Sequence, residues 1–338
     1  MTKGADPVRV GIIGTGAISQ VVHVPILAER DDVEVRALAD IDAHKAEALS
    51  RRFDVPMVMD ADELIRYDDL DAIVVSTPNH LHEEMSIAAL ESGKHVFVER
   101  PLASSSAGAR RAVEAARTAG RLLVVGMPHR YRPEVAALRS FVAGGELGDL
   151  QAVRGSWMTR PFPAARSTWR HDRSAAGGGA LVELGVPALD LLLWLVDFPR
   201  LRRLSCVLGY GDHEVEDSAT IMAEGESGLA FSLHVTSRLF ASEDRTFAQV
   251  LGTEGSGSLP PLEVFKQLGG RPLDVTPRQP RPQGGENPYT NAYRRLLDEF
   301  VRGAAGRSDV PLPEEQVALA SLVEAAYRAA EMGTEVEL

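Results

Sequence analysis

The chain has 338 residues, of which 44% are hydrophobic and 25% charged, and a formal net charge of -12. This length exceeds one ordinary core and suits two domains, and the composition is that of a globular protein rather than a disordered or fibrous one. The acidic balance speaks against a nucleic-acid partner, which a local basic patch would have to hold against the field of the whole molecule.

The start, MTKGADPVRV, has no apolar core of signal-peptide length, so a cytoplasmic protein is expected. Short β-branched runs then alternate with segments of helical period: RVGIIG, VEVRAL, DAIVVST, HVFVER and LLVVGM read as strands, DAHKAEALSRRF and EEMSIAALESG as helices. Gly93 is placed to end the second helix. Alternation of this kind predicts a parallel sheet with crossover helices, and the continuous apolar strands predict that both its faces are covered. Residues 1–126 are therefore expected to form a doubly wound α/β domain.

Residues 127–338 follow a different grammar. LAFSLHV alternates, with Leu229, Phe231, Leu233 and Val235 on one face and Ala230, Ser232 and His234 on the other, as an antiparallel strand with two unlike faces would. QAVRGSWMTR, LRRLSCVLGY, DSATIMAEG and RTFAQVLGT read as its neighbours, and the lone Cys206 in the second of these fits a reducing compartment. A helix within GGGALVELGVPALDLLLWLV is expected to pack on this sheet. Its greasiest part, LDLLLWLVDF, carries Asp190 and Asp197 and reads as too short to span a bilayer. GGRPLDVTPRQPRPQGGENP reads as a loop, and two helices close the chain, within NAYRRLLDEFVRG and PEEQVALASLVEAAYRAAEMG. The prediction is an α+β domain with an open, largely antiparallel sheet.

GIIGTGAIS sets Gly14, Gly16 and Ser19 directly after the first strand, with Ala17 and Ile18 opening the helix that follows. Gly14 permits a tight turn, Gly16 lets a pyrophosphate approach the backbone, and the helix start contributes partial positive charge. Asp40 ends the second strand, where a carboxylate meets ribose hydroxyls and repels a 2′-phosphate, and Ile41 brings no guanidinium to receive one. The expected cofactor is NAD in preference to NADP.

With VVSTPNHLH (74–82) and GKHVFVERPLA (93–103) added, the chain resembles the Gfo/Idh/MocA oxidoreductases. The likeness extends through HVPIL, GELGDLQAVRGSW, WRHDRSAAGGGALVELGVPALD, VEDSATI and VLGTEGS. It implies a Rossmann domain followed by a domain whose open sheet often mediates dimers or tetramers. It also implies that Ser76, Thr77, Pro78, Asn79 and His82 line the cofactor cleft, that Glu99 contacts the nicotinamide end, and that Trp169 and Arg170 stand beside the substrate.

Two departures from the family pattern concern chemistry. The usual Glu-Lys-Pro reads Glu99-Arg100-Pro101, and the usual Asp with a His four residues later reads Glu183 and Pro187. Oxidising an alcohol releases a proton as well as a hydride, and the acceptor of that proton needs a pKa within reach of neutrality. Arginine, with a pKa above about 12, does not supply one. Glu183 is then the expected proton carrier, raised in pKa by burial, with water, His171, Asp172, His129 or Tyr131 as substitutes. Arg100 is left to polarise a carbonyl or clamp a carboxylate.

Arg130, Arg132, Arg160, Arg166, Arg170 and Arg173 fall in segments that, by the resemblance, border the substrate; they read either as an anion site or as solvated surface arginines. Pro187 either removes one helical hydrogen bond, to the Glu183 carbonyl, at a cost of roughly 3 kcal/mol, or starts a shorter helix. His95 reads as a core or edge histidine, His234 as facing an oligomer partner, and His23 as shaping the cleft. No metal-ligand spacing is present.

Three functions compete on this reading. The leading one is an NAD-dependent oxidoreductase acting on a hydroxyl or carbonyl of a sugar, cyclitol or related, possibly anionic, small molecule. The second is a member that keeps NAD but performs elimination, hydrolysis or cyclisation, and the third is a non-enzymatic ligand sensor.

Overall fold

A computed structural model describes residues 6–161, 169–278 and 287–338. The chain divides into two compact units, Met1–Pro128 with Tyr289–Val317, and His129–Pro288 with Ala318–Leu338.

The first unit is built on six strands: β1 (Val8–Ile13), β2 (Val33–Ala39), β3 (Met57–Val58), β4 (Ala72–Val75), β5 (His95–Glu99) and β6 (Leu123–Gly126). They pair in parallel in the order β3-β2-β1-β4-β5-β6. The chain thus leaves β1 toward one edge and returns to β4 on its other side, which makes the carboxyl ends of β1 and β4 the point where the order reverses. Every residue of β4 and the centre of β5 are buried, as strands covered on both faces must be. The covering helices are α1 (Val24–Ala28), α2 (Ala43–Phe53), α3 (Ala61–Arg66), α4 (His82–Glu91) and α5 (Ser106–Ala119). Gly93, with φ of 77°, ends the α4 segment in the left-handed region as its sequence position required.

The helix Pro288–Ala304, α9 in a chain order that gives α6 to Pro133–Ala143, α7 to Arg173–Ala176 and α8 to Val186–Leu195, corrects the sequence reading. That reading left everything after residue 126 in the second domain, yet 289–317 belongs with the first unit. Ala292, Tyr293, Leu296, Leu297, Phe300 and Val301 form its buried face, with the Phe300 ring 5.7 Å from that of Phe97 on β5. Arg30–Asp298 and Arg294–Glu29 pairs, both at 2.9 Å, tie its polar side to the end of α1. An amphipathic stripe says that a helix covers an apolar surface without saying which one.

The second unit holds nine strands in the order β14-β13-β12-β11-β7-β10-β9-β8-β15. These are β7 (Leu150–Met158), β8 (Leu201–Tyr210), β9 (Glu216–Gly225), β10 (Ala230–Thr236), β11 (Arg245–Gly252), β12 (Gly255–Leu259), β13 (Glu263–Leu268), β14 (Arg271–Asp274) and β15 (Val336–Glu337). All neighbours are antiparallel except β10 and β7, so the sheet is mixed but largely antiparallel. On β10 the alternation holds: Phe231, Leu233 and Val235 are buried, Ala230 and His234 exposed.

The Pro- and Gly-rich stretch read as a loop begins instead with β14, which pairs with β13 across Gly269 and Gly270, at φ of 56° and 76°. Two consecutive positive φ values are what a tight hairpin turn with the right twist demands, and a Gly-Gly dipeptide supplies them. Residues 279–286 of that stretch lie outside the described ones.

Of the ten residues of α8 only Trp194 is not fully buried. Gly155 on β7 makes room for it, since a side chain there would meet Leu192 at 2.8 Å. The wider segment Arg173–Leu195 is long and apolar enough to cross a membrane by length and composition, and 89% of its most apolar window is buried inside the protein. Within it, α8 is the core helix of the second unit.

Candidate functional site

At the carboxyl end of β1 the backbone turns through Gly14, at φ of 94°, where a side chain would stand 2.5 Å from the Ser76 carbonyl oxygen. Gly16 is the opposite case: a methyl group there would meet nothing within 4 Å, so its backbone faces open space at the mouth of the helix that Ala17 and Ile18 begin. Ser19 is buried and serves the turn, its hydroxyl donating to the Gly14 carbonyl at 2.6 Å and lying 2.6 Å from the Ser76 hydroxyl. Ser76 in turn donates to the same carbonyl at 2.9 Å, which joins the ends of β1 and β4.

Asp40 ends β2 and holds this turn. One carboxylate oxygen accepts from the Thr15 N–H at 2.6 Å and the Thr15 hydroxyl at 2.8 Å, the other from the Asp42 N–H at 2.9 Å. Ile41 beside it is fully exposed, an apolar platform at the strand end where an adenosine would lie. A pyrophosphate needs open backbone at a helix start and a ribose needs a carboxylate one strand over; both are present, so these residues fit a dinucleotide.

The loop residues divide. Thr77 and Pro78 remain partly exposed, while Asn79 is 6% and His82 1% exposed. His82 does not line a cleft as the resemblance implied. Its Nδ1 lies 2.8 Å from the Pro101 carbonyl oxygen and its Nε2 2.8 Å from that of Thr77, so it fastens the segment after β4 to the segment after β5. Burial pushes its pKa down, against the pull of the two carbonyls.

Glu99 is fixed rather than free. His23 Nε2 lies 2.9 Å from its Oε1, and the Tyr293 hydroxyl is 3.0 Å from both oxygens. Burial works against its charge, but His23, the Arg100 guanidinium and Tyr293 outweigh it and hold the carboxyl below the ordinary range. The Tyr293 hydroxyl is pushed well up by burial and by the Glu99 charge. Arg100 follows, half-buried, with a cis peptide to Pro101. Tyr293 escaped the sequence reading because it is one aromatic among the apolar positions of α9.

In the second unit Trp169, Arg170 and Glu183 come together: the Arg170 guanidinium lies 4.5 Å from the Trp169 ring centre and its Nε 3.6 Å from Glu183 Oε2. Glu183 keeps 31% side-chain exposure, so it is not deeply buried as the sequence reading expected. It belongs to a π-helical turn, Leu181–Gly185, that runs directly into α8. Pro187 is buried in the first turn of α8, the second of the two placements the sequence allowed, with the π-helical turn leading into it. The wider turn, closed by the Val186 N–H on the Leu181 carbonyl, takes up the register in front of the proline.

Three glycines precede this turn for three reasons. Gly177 is left-handed at φ of 80°, a side chain on Gly178 would overlap the Tyr327 hydroxyl, and one on Gly179 would overlap the backbone of Glu216. Glu216, 2% exposed, accepts at one oxygen from the Gly179 and Leu181 N–H groups and the Tyr327 hydroxyl, each at 2.9 Å. Burial and the Glu216 charge push the Tyr327 hydroxyl up.

The arginines expected at an anion site have mostly found partners inside the protein. Arg130 grips buried Asp190 with both arms of its fork, which corrects its reading as a substrate ligand: a guanidinium spent bidentately on a carboxylate is structural. Arg132 pairs with Glu134 and Arg160 with Asp244. Arg173 lies over the Tyr327 ring at 5.7 Å, and Arg166 is outside the described residues.

Among the proton-carrier substitutes, Asp172 caps α7 through the Ser174 N–H, and the His129 ring stands against Trp157 at 4.8 Å. Tyr131 is half-buried. The His171 ring stacks on His213 at 3.9 Å, and burial together with that second ring lowers its pKa. His95 opens the interior strand β5, its Nδ1 accepting from the Leu122 N–H at 3.0 Å. Among the described residues no group of His, Cys, Asp and Glu has the makings of a metal site.

Residues 8–127 match the model of an oxidoreductase family with an NAD-binding Rossmann fold, and 135–258 that of the GFO/IDH/MocA C-terminal domain. The chain belongs to the Gfo/Idh/MocA family. Within it, the chain is 27% identical to D-glucoside 3-dehydrogenase of Escherichia coli over 99% of its length and 98% of the relative's. It is 30% identical to dTDP-3,4-didehydro-2,6-dideoxy-alpha-D-glucose 3-reductase of Saccharopolyspora spinosa over 67% of its length and 68% of the relative's. Among solved structures, that of GenD2 from gentamicin A biosynthesis in complex with NAD superposes with a TM-score of 0.86 at 26% identity. That superposition covers 98% of this chain and 97% of the other.

Proposed function

We propose that the protein is an NAD-dependent oxidoreductase that interconverts a ring hydroxyl and a ring ketone of a pyranose sugar, at the 3-position. One observation carries the reading: the dinucleotide turn is complete, with Gly14 forced, Gly16 open and Asp40 bracing the loop from the neighbouring strand. Relatives named for a glucoside 3-dehydrogenase and a 3-reductase support the ring position. The arginine pairings support a neutral sugar rather than an anion. Asp40 at the ribose favours NAD over NADP.

In this mechanism Gly14, Gly16 and the helix start that follows them hold the pyrophosphate, Asp40 the ribose and Ile41 the adenine. Bound NAD supplies the hydride acceptor or donor. Arg100 donates hydrogen bonds to the reacting oxygen and stays charged throughout. Glu183 takes the hydroxyl proton on oxidation and returns it on reduction, with Arg170 holding its carboxylate and Trp169 backing the guanidinium. The Glu99 carboxylate, kept ionised by His23, balances the Arg100 charge in a buried setting.

The test is NADH formation with a panel of methyl hexopyranosides and their deoxy analogues. Turnover that disappears with the 3-deoxy sugar is expected, as is a Glu183→Gln variant slowed at least tenfold. Calorimetry showing uptake of neither NAD nor NADP by folded protein would overturn the reading. A second reading, NAD kept for non-redox chemistry, is favoured specifically by Arg100 and Pro187 in place of Lys and His; product formation without net NADH would select it.

We also infer a homo-oligomer through the open sheet, whose face exposes Val207 and Met222 at 72% and 65%. Light scattering at the mass of one chain overturns that.

A further inference from the structure

Resting on the role given to Glu183 above, we propose that Glu216 and Tyr327 are the positioning residues for Glu183. The start of the segment that carries Glu183 lacks what usually fixes such a start: Ala180 precedes it in helical conformation with no side-chain cap. Its first turn is π-helical and runs into Pro187, which has no N–H to give.

Glu216 supplies the missing restraint from β9. Its Oε1 accepts from the N–H groups of Gly179 and Leu181, and the Gly179 carbonyl on the other side of that residue accepts from the Glu183 N–H at 2.9 Å. A single residue thus links the buried carboxylate to the backbone of Glu183. A side chain on Gly179 would overlap the Glu216 carbonyl oxygen, so the two backbones pass too closely to leave slack in that link. Tyr327, from the helix α10 (Glu315–Met332), donates to the same oxygen and fixes the carboxylate in turn.

The consequence is chemical as well as structural. A proton carrier works only within hydrogen-bond reach of its donor, and a displacement of about 1 Å can cost on the order of a hundredfold in rate. The backbone position of Glu183 is therefore set by a carboxylate that never meets substrate. In this role the two backbone donors hold the Glu216 side chain, and Tyr327, its hydroxyl pushed up by burial, keeps its proton.

Amide hydrogen exchange on the whole chain tests the restraint without any activity. Glu216→Ala, and Tyr327→Phe as the milder variant where the first does not fold, should speed exchange in the 178–184 segment at least tenfold, with NAD affinity unchanged. Unchanged exchange in that segment overturns the proposal.

Kinetics with the best methyl hexopyranoside then asks whether the effect passes through Glu183. Tyr327→Phe should lower kcat about tenfold with KM nearly unchanged, and should lose that effect in a Glu183→Gln background. An equal loss in both backgrounds overturns the positioning role. Wild-type turnover by Glu183→Gln alone, or no turnover by the wild type, counts against the proposed function instead, and the exchange data still judge the restraint.

Discussion

Two buried carboxylates, Glu99 in the first unit and Glu216 in the second, are held in different ways. Each receives a tyrosine hydroxyl from a late helix, Tyr293 on one side and Tyr327 on the other. Glu99 is also held by the His23 ring, whereas Glu216 is held by two backbone N–H groups that cannot turn away. A side-chain partner is placed by packing and rotamer. Backbone partners turn the carboxylate into a fixed part of the frame. The first arrangement suits a residue beside Arg100, the second a residue that must keep a helix start in place.

The comparison breaks most easily at its stiffer end. Glu216→Ala strands two buried N–H groups and should cost about 4 kcal/mol, and Glu99→Ala, which strands side-chain donors only, about 2 kcal/mol. Denaturant titration ranks the two, and equal losses would erase the distinction. Gly179→Ala, forced against the backbone of Glu216, should cost about 3 kcal/mol. Gly16→Ala, facing open space, should leave the melting temperature unchanged and weaken NAD binding roughly tenfold by calorimetry. Tyr293→Phe should cost about 1 kcal/mol, the worth of one hydrogen bond.

The smallest effects are those of pH. Because the folded pKa of Glu99 is depressed, its stabilisation is present above the unfolded value of about 4.3 and is lost as pH falls through the lower folded value. His82 is also depressed, so its contribution is complete above about 6.5 and declines as acid protonates the unfolded chain first. Stability measured from pH 7 to 3 should fall in those two stages, and His82→Asn should remove the upper one.

Much of the first unit was legible because its signals are local. A strand, a Gly-x-Gly turn and a helix follow one another within twenty residues, and covered strands advertise themselves by unbroken apolar runs. The alternation on β10 was legible for the same reason. The β13–β14 hairpin was hidden because Gly269-Gly270 marks a loop and a tight turn equally well, and the choice depends on the strand available to pair. The arginines misled because residue type reports charge but not the carboxylate that neutralises it, as Arg130 and Asp190, sixty positions apart, show.

By itself the sequence determined the strands of a doubly wound dinucleotide fold and the glycines of its turn. Each is written in neighbouring residues and in periodicity, which the chain cannot change by folding. Only the tertiary structure decided that α9 returns to the first unit, that Tyr293 guards Glu99, and that a buried glutamate holds the turn carrying Glu183. Hydrogen bonds form between groups brought within about 3 Å, and which groups those are depends on packing across dozens or hundreds of residues.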